Sequence, residues 1–113
     1  MSYHVRQLKY VLGWLIAGTR GGVTRAHIIR ALKEAPRNAN QLANLIEMDY
    51  RTIRHHLEVL EKNGIITSAG DRYGLTYFLS PVMEENYAMF EEIWERFGRD
   101  LEKKRKGRKT NET

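Results

Sequence analysis

Cysteine is absent from this sequence of 113 residues, and proline occurs only twice. The absence of cysteine excludes disulfides, thiolate metal ligands and cysteine nucleophiles, and it is compatible with the cytoplasm. Long apolar runs are missing as well, because the run from Val11 to Gly18 is far shorter than the roughly 20 residues that a membrane-spanning helix needs. No signal peptide is evident. We therefore expect a cytoplasmic protein without a membrane partner.

Catalytic and metal-binding patterns are also missing. We find no paired carboxylates in a candidate pocket, no metal-ligand spacing and no nucleophile arrangement, so the sequence predicts no enzyme, no catalytic residue, no metal and no cofactor. Positive charge is abundant: the net charge is +5, from 19 basic and 14 acidic residues, which favours an anionic partner. The charge is uneven, because residues 80–97 carry five Glu and one Arg, whereas residues 98–113 carry seven basic and three acidic residues.

The stretch 38–64 predicts two helices joined by a tight turn. Asn38 begins the first helix, and Gln41 follows three residues on, which is the pattern of a capping box. Asp49 is a candidate cap for the second helix, which we expect over residues 50–63, with a glycine to end it. The expected buried positions are Leu42, Leu45, Ile46, Ile53, Leu57 and Leu60. A short helix, a three-residue turn and a longer helix form a helix-turn-helix.

The second of these helices leaves cationic and polar side chains outside. Arg51 and His55 lie opposite its buried stripe. Arg54 lies on the flank, and Tyr50 and Thr52 occupy the first turn. Arginine reads guanine or binds phosphate, and threonine and tyrosine contact phosphate or a thymine methyl, so this surface predicts a helix that enters the major groove of DNA. The alternative is an ordinary solvated face.

Two further helices are predicted before this stretch. Residues 3–17 form an amphipathic pattern, which indicates either a plain core helix or a dimerisation element. Its apolar stripe is Val5, Leu8, Val11, Leu12, Leu15 and Ile16. A glycine-rich loop at 18–22 separates it from a helix that Thr24 is expected to cap and that runs to Ala35.

A β-hairpin is predicted directly after the helix-turn-helix. The strand candidates are residues 65–69 and 73–79, joined by turn residues, and a hairpin in this position makes a wing. Arg72 at its tip is a candidate contact to the minor groove or to backbone phosphate, the alternative being a solvated turn residue. Arg37 and Arg20 are candidate phosphate contacts elsewhere in the chain.

The last helix is predicted to begin at Ser80-Pro81, where a capping hydroxyl precedes a proline. Large apolar residues follow at heptad spacing, which is typical of a helical interface. They are Met83, Tyr87, Phe90, Trp94, Phe97 and Leu101. We predict a homodimer built on this helix; the alternative is that the helix folds back onto residues 3–17 of the same chain.

The order of these elements resembles the winged-helix transcriptional regulators of the ArsR-like group, and archaeal members especially. The resemblance is carried by Gln41-Leu42-Ala43 and by the run from Asp49 to Ile66. It implies a mainly α fold with a small β-hairpin, a winged helix-turn-helix with flanking N- and C-terminal helices. It also implies dimeric DNA binding and a structural role for His56. The metal-sensing role of the group is not carried over, because this sequence has no cysteine and no histidine after His56.

We therefore divide the chain into four parts: an N-terminal helix and glycine-rich loop (1–21), a winged helix DNA-binding domain (22–80), a C-terminal dimerisation helix (81–102) and a disordered basic tail (103–113).

The predicted function is that of a dimeric, sequence-specific transcriptional regulator, expected to act as a repressor. Its partner would be double-stranded DNA, with helix 50–63 in the major groove and the 65–79 wing on the backbone or in the minor groove. Two alternatives remain open, a chromatin-type protein that coats DNA without sequence choice and a winged-helix protein-interaction module. The sequence names no effector, and we expect a cytoplasmic, nucleoid-associated location.

Overall fold

Side-chain caps at Asn38, Asp49 and Ser80 precede helices in this protein. The computed structural model describes residues 3–104, so the predicted tail lies outside the described residues apart from its first two positions. These residues form two compact units, which we call the helical unit (residues 3–26 with 87–104) and the central unit (residues 27–86). The four-part division made from the sequence remains a prediction.

The central unit contains the helix-turn-helix and a small sheet. Its elements in chain order are the C-terminal part of α2 (Gly22–Glu34), β1 (Arg37–Asn38), α3 (Ala39–Ile46), α4 (Tyr50–Lys62), β2 (Ile66–Asp71), β3 (Gly74–Leu79) and α5 (Pro81–Glu85). The three strands are antiparallel in the order β1-β3-β2. The hairpin was predicted from the sequence, whereas β1 was not.

Side-chain caps set the start of α3 and α4. The Asn38 amide donates to Gln41 Oε1 and the Gln41 amide donates to Asn38 Oδ1, both at 2.8 Å, which confirms the predicted capping box. Asp49 caps α4 by accepting from the Thr52 amide at 2.6 Å. Beyond α4, Gly64 has a φ of 74°, a left-handed conformation that glycine adopts without steric cost. These local signals place both helices of the helix-turn-helix.

The core of the central unit is built from the apolar faces of α3, α4 and the strands that follow. Its fully buried side chains include Leu42, Ile53, Leu57, Leu60, Ile65 and Ile66. Each such burial stabilises the fold by about 1.5–3 kcal/mol relative to exposure. His56 is also buried, with 8% of its surface exposed, as expected for a residue of the packing.

The prediction that Leu45 faces inward is wrong, because 53% of its surface is exposed. Ala39, Leu42 and Ala43 are the buried residues of α3. At about 100° per residue, Leu45 lies about 115° from the centre of the face they define. Its side chain borders an open cleft of about 360 Å³ between α2 and α3.

In the helical unit, α1 (Tyr3–Ala17) packs against α6 (Tyr87–Ile93) and the π-helical segment Trp94–Gly98 that follows it. Leu8, Leu12, Leu15 and Ile16 of α1 are buried, as its stripe predicted. This arrangement is the intrachain alternative considered for the last helix. None of the helices in residues 3–104 combines the length and the apolar character that a bilayer span requires.

The start of α2 differs from the prediction. Thr24 does not cap it, because the helix begins at Gly22 and the Arg25 amide already donates to the Gly21 carbonyl at 3.1 Å. A Cβ on Gly22 would lie 1.8 Å from the Ile16 carbonyl oxygen, so glycine permits this close approach. The buried Arg25 side chain then donates from Nε and Nη2 to the Leu15 carbonyl, at 3.0 and 2.7 Å, near the end of α1.

The predicted single helix over 81–102 is interrupted. A turn at Asn86 separates α5 from α6, and the π-helical segment then adds an extra residue to a helical turn, which rotates the side chains after it. Gly98 is buried there, and a Cβ on it would lie 1.9 Å from Trp94 Cε3. Phe97 is turned outward, with 47% of its surface exposed.

Half of the proposed dimerisation side chains are therefore already buried within one chain. Met83, Phe90 and Trp94 have 0%, 1% and 7% of their surface exposed, so they do not form an accessible surface in this structure. Their burial is the correction that the structure makes to the heptad interpretation. Tyr87 and Leu101 are half-buried, which leaves these two and Phe97 as accessible members of the set.

Candidate nucleic-acid interface

One line of exposed side chains runs along α4, opposite its buried face. Its members are Arg51, His55, Glu58 and Lys62, at intervals of four, three and four residues. The line is cationic at the beginning of the helix and carries its carboxylate in the C-terminal half. An anionic groove would therefore be attracted to the first two turns of α4.

Arg51 is exposed, and it makes no hydrogen bond or ion pair with any other residue of the part of the chain that the structure describes. Its guanidinium keeps all five N–H donors available for an external acceptor. Tyr50 beside it has 51% of its surface exposed, and the His55 ring is also exposed. The structure thus leaves an arginine, a phenol and an imidazole accessible on the N-terminal half of α4.

Thr52, unlike these neighbours, forms a side-chain hydrogen bond within the described part of the protein. Its amide donates to Asp49 Oδ1 and its hydroxyl donates to Asp49 Oδ2, at 2.6 and 3.0 Å. These two hydrogen bonds, with a smaller contribution from the Arg51 charge, lower the pKa of Asp49 from its usual value. The hydroxyl proton of Thr52 is therefore committed to the cap, and only its oxygen lone pairs remain for a ligand.

Arg54 points towards the sheet. Its Nη1 donates to the Tyr77 hydroxyl at 3.0 Å, and its Nη2 lies 3.7 Å from Glu58 Oε1. Tyr77 has only 3% of its surface exposed, and this burial raises the pKa of its phenol. Arg54 thus contacts a buried group of the protein, although the sequence placed it among the DNA contacts.

A second contact joins the same flank of α4 to the hairpin. Ser68 Oγ donates to Glu61 Oε2 at 2.6 Å. Ser68 and Tyr77 are partners across the two strands of the hairpin. Tyr77 and Ser68 were not predicted from the sequence, because their roles depend on which strand positions face α4. The alternation of side chains along β3 was the signal that could have indicated that Tyr77 faces inward.

The tip of the hairpin presents a stacked pair. The Arg72 guanidinium lies 5.0 Å from the centroid of the Tyr73 ring, and its Nη2 donates to the Tyr73 hydroxyl at 2.9 Å. Tyr73 has 82% of its surface exposed, and its amide donates to Asp71 Oδ1 at 2.8 Å. The Arg72 cation and the Tyr73 aromatic ring therefore lie together at the end of the wing. Arg72 was predicted from the sequence as a DNA contact, whereas Tyr73 was not.

The two remaining candidate arginines differ. Arg37 is held by the protein, since its Nε donates to the Ala31 carbonyl and its Nη2 contacts Glu34, both at 3.2 Å. Arg20 is exposed in the turn between α1 and α2 and belongs to the helical unit, separate from the unit that carries α4. Within residues 3–104 no group of three or more His, Asp or Glu side chains is arranged to hold a metal ion.

Comparison with known proteins supports the helix-turn-helix assignment. Residues 22–68 match the sequence model of the family described as bacterial regulatory protein, arsR family. A comparison with curated proteins returns no match. The family match spans the helix-turn-helix and the start of the wing, and it confirms the ArsR-like resemblance for this domain. The archaeal qualifier remains a prediction.

Several solved structures share the fold. A probable transcriptional regulator from Pseudomonas aeruginosa is 25% identical, with 97% of this chain and 92% of that chain covered and a TM-score of 0.56. Reduced HlyU from Vibrio cholerae is 20% identical over 81% and 92%, with a TM-score of 0.60. A homodimeric winged helix-turn-helix DNA-binding domain from Mycobacterium bovis, described as a possible ArsR-family regulator, is 17% identical over 82% and 83%, with a TM-score of 0.60.

These similarities and the observed elements define the class of protein. The chain is mainly helical, with a small antiparallel sheet, and it has the winged helix-turn-helix fold. The fold class predicted from the sequence is therefore confirmed. The family model matched over residues 22–68 and the fold together point to a DNA-binding transcriptional regulator.

Proposed function

We propose that this protein is a sequence-specific DNA-binding transcriptional regulator that reads the major groove with the beginning of α4. The observation that carries the proposal is the exposed Arg51, whose donors are not used within the described chain, on the second helix of a helix-turn-helix. Tyr50 and His55 extend the same surface. The Arg72 side chain on the wing would contact backbone phosphate or the minor groove.

The physical basis is the fit between a helix and a groove. The major groove of B-DNA is about 12 Å wide and admits an α-helix, and it presents a different donor and acceptor pattern for each base pair. Arginine can donate two hydrogen bonds to guanine, whereas a tyrosine hydroxyl can position the helix by donating to a phosphate. The neighbouring structures support the assignment, since they are described as transcriptional regulators or as a DNA-binding domain. DNA binding would place the protein in the cytoplasm, on the nucleoid.

The second part of the proposal is a homodimer that acts as a repressor. One similar structure is described as homodimeric, and another, from Xylella fastidiosa, as a transcriptional repressor. In the helical unit, large apolar side chains remain exposed: Tyr10, Trp14 and Phe97 have 85%, 57% and 47% of their surface accessible. A two-fold dimer through this unit would bind half-sites about 34 Å apart.

Selection of binding sites from a random DNA library tests the proposal. A specific regulator should return a two-fold symmetric consensus and bind it at least about 1,000-fold more tightly than scrambled DNA at the same salt concentration. Binding without a consensus would instead favour the DNA-coating protein, which the net charge of +5 also suits. No binding to any DNA at low salt would favour a protein-interaction module. Mass measurement in solution tests the dimer separately.

A further inference from the structure

We call α4 the recognition helix. It is joined to the wing at one cross-strand pair of residues, a single rung of the hairpin. Arg54 and Glu61 are seven residues apart, so they lie on the same side of α4, two turns from each other. Arg54 bonds to Tyr77, and Glu61 bonds to Ser68. Because Ser68 and Tyr77 are cross-strand partners, both contacts end on a single rung. All four residues belong to the central unit.

We infer that Arg54 is a positioning residue, which acts through the Tyr77 hydroxyl to fix the recognition helix against the wing and thereby determines specificity. The inference rests on the proposed function and adds to it that reading of DNA depends on a phenol that DNA does not touch. It also reassigns Arg54, which the sequence placed among the groups that read bases.

Tyr77 is suited to be the fixed end of this contact. Its side chain is buried, and its strand β3 is the middle strand of the sheet, with Arg37 opposite on β1 and Ser68 opposite on β2. The backbone that carries the phenol is therefore paired on both sides. The Arg54 guanidinium donates to the phenol oxygen at 3.0 Å, so its position is fixed relative to the sheet.

The contact matters for reading because two separate surfaces must meet DNA together. Arg51 and His55 would enter the major groove, while the wing tip with Arg72 would reach the backbone or the adjacent minor groove. If the helix and the wing are free to change their relative angle, binding of the helix in the major groove no longer positions the wing tip on the DNA. Specific binding then weakens, while attraction to the phosphates, which needs no such alignment, is retained.

Substitution of the two partners separates this role from direct DNA contact. The full chain is compared with Arg54→Gln, Tyr77→Phe and the double variant on the selected consensus and on scrambled DNA. We expect Tyr77→Phe to weaken consensus binding about tenfold and scrambled binding less than about twofold, since it removes one charge-assisted hydrogen bond and no charge. We expect the double variant to bind like Arg54→Gln alone, because the two residues share one contact.

The dependence of affinity on salt separates a positioning role of Arg54 from a direct contact between Arg54 and a DNA phosphate. Each phosphate contact contributes a slope of about −0.9 to the plot of log K against log salt. A positioning role predicts the same slope for Arg54→Gln as for the wild type. If Tyr77→Phe binds the consensus normally while Arg54→Gln loses affinity and about 0.9 of the slope, Arg54 contacts DNA directly and the inference is wrong.

A second measurement needs no DNA and keeps the inference distinct from the proposed function. Since the chain has no cysteine, spin labels can be placed on Lys62→Cys in α4 and Thr76→Cys in β3, both exposed positions. The distance distribution between the labels should broaden in Tyr77→Phe, and to a smaller extent in Ser68→Ala, which removes the other contact without changing charge. Unchanged distributions in both variants would overturn the inference even if a consensus is found. Broadening without any consensus would support the coupling and reject only the proposed DNA function.

Discussion

Arg51→Ala is the substitution that should most sharply reduce specific DNA binding. Arg51 makes no hydrogen bond or ion pair within residues 3–104, so its removal leaves no unsatisfied partner behind. Arginine and alanine also have similar helix propensities, and the free energy of unfolding should change by less than about 0.5 kcal/mol. The effect should therefore appear in binding, where a bidentate contact to a base is worth about 1–3 kcal/mol, or roughly 5- to 150-fold in affinity.

The assay is titration of a labelled consensus duplex at one fixed salt concentration, with scrambled DNA measured in parallel. Lys62→Ala is the matched control, because Lys62 is an exposed cation on the same line of α4, roughly 16 Å further along the helix axis. It removes the same charge from the same helix and should change both affinities by less than about threefold. Thermal unfolding of each variant verifies that the fold is intact.

Equal losses for the two variants would refute the reasoning, since they would show that only the net charge of α4 matters. Normal binding of the consensus by Arg51→Ala would refute it as well. In the second case the accessible donors of α4 would not be the groups that read the sequence.

Three further outcomes follow from the structure. The pKa of Asp49 is lowered in the folded protein, so the stability that its charge contributes is present above about pH 4 and is lost as the pH falls through the lowered pKa. In chemical denaturation, the free energy of unfolding of Asp49→Asn should therefore converge with that of the wild type at low pH. Gly98→Ala should destabilise the protein by about 1–3 kcal/mol in urea unfolding, as its Cβ meets the Trp94 ring, whereas Gly13→Ala, with open space around its Cβ, should stabilise it by up to about 1 kcal/mol. Trp14→Lys should weaken a dimer at least tenfold in sedimentation equilibrium, and an unchanged dimer would exclude this surface from the interface.

The parts of the fold that the sequence predicted well depend on neighbouring residues. The capping pairs at Asn38 and Asp49 and the cap at Ser80 before a proline each act within four residues, and all are present. The exposure of Arg51 and His55 followed from the helical period once the stripe of α4 was known. These features need no knowledge of what packs against the helix.

The parts that were missed depend on tertiary neighbours. Leu45 satisfies the spacing of a buried residue, but the buried face of α3 is set by what covers it. The heptad after residue 80 assumes a regular helix, and the π-helical segment around Gly98 changes the direction of the side chains that follow. The partner of Arg54 is 23 residues away on a strand, where no local pattern indicates the pairing.

The pairing of the short strand β1 with β3 fixes the number of residues that link α2 to α3. Asn38 pairs with Thr76 in the sheet, and its side chain also starts α3, so one residue ties the entrance of the helix-turn-helix to the wing. Adding a residue next to Arg37 would shift the register of β1 by one, so that its side chains face the opposite side of the sheet and the start of α3 is displaced relative to β3. Natural variation in chain length should therefore accumulate at the hairpin tip, which meets no such double constraint.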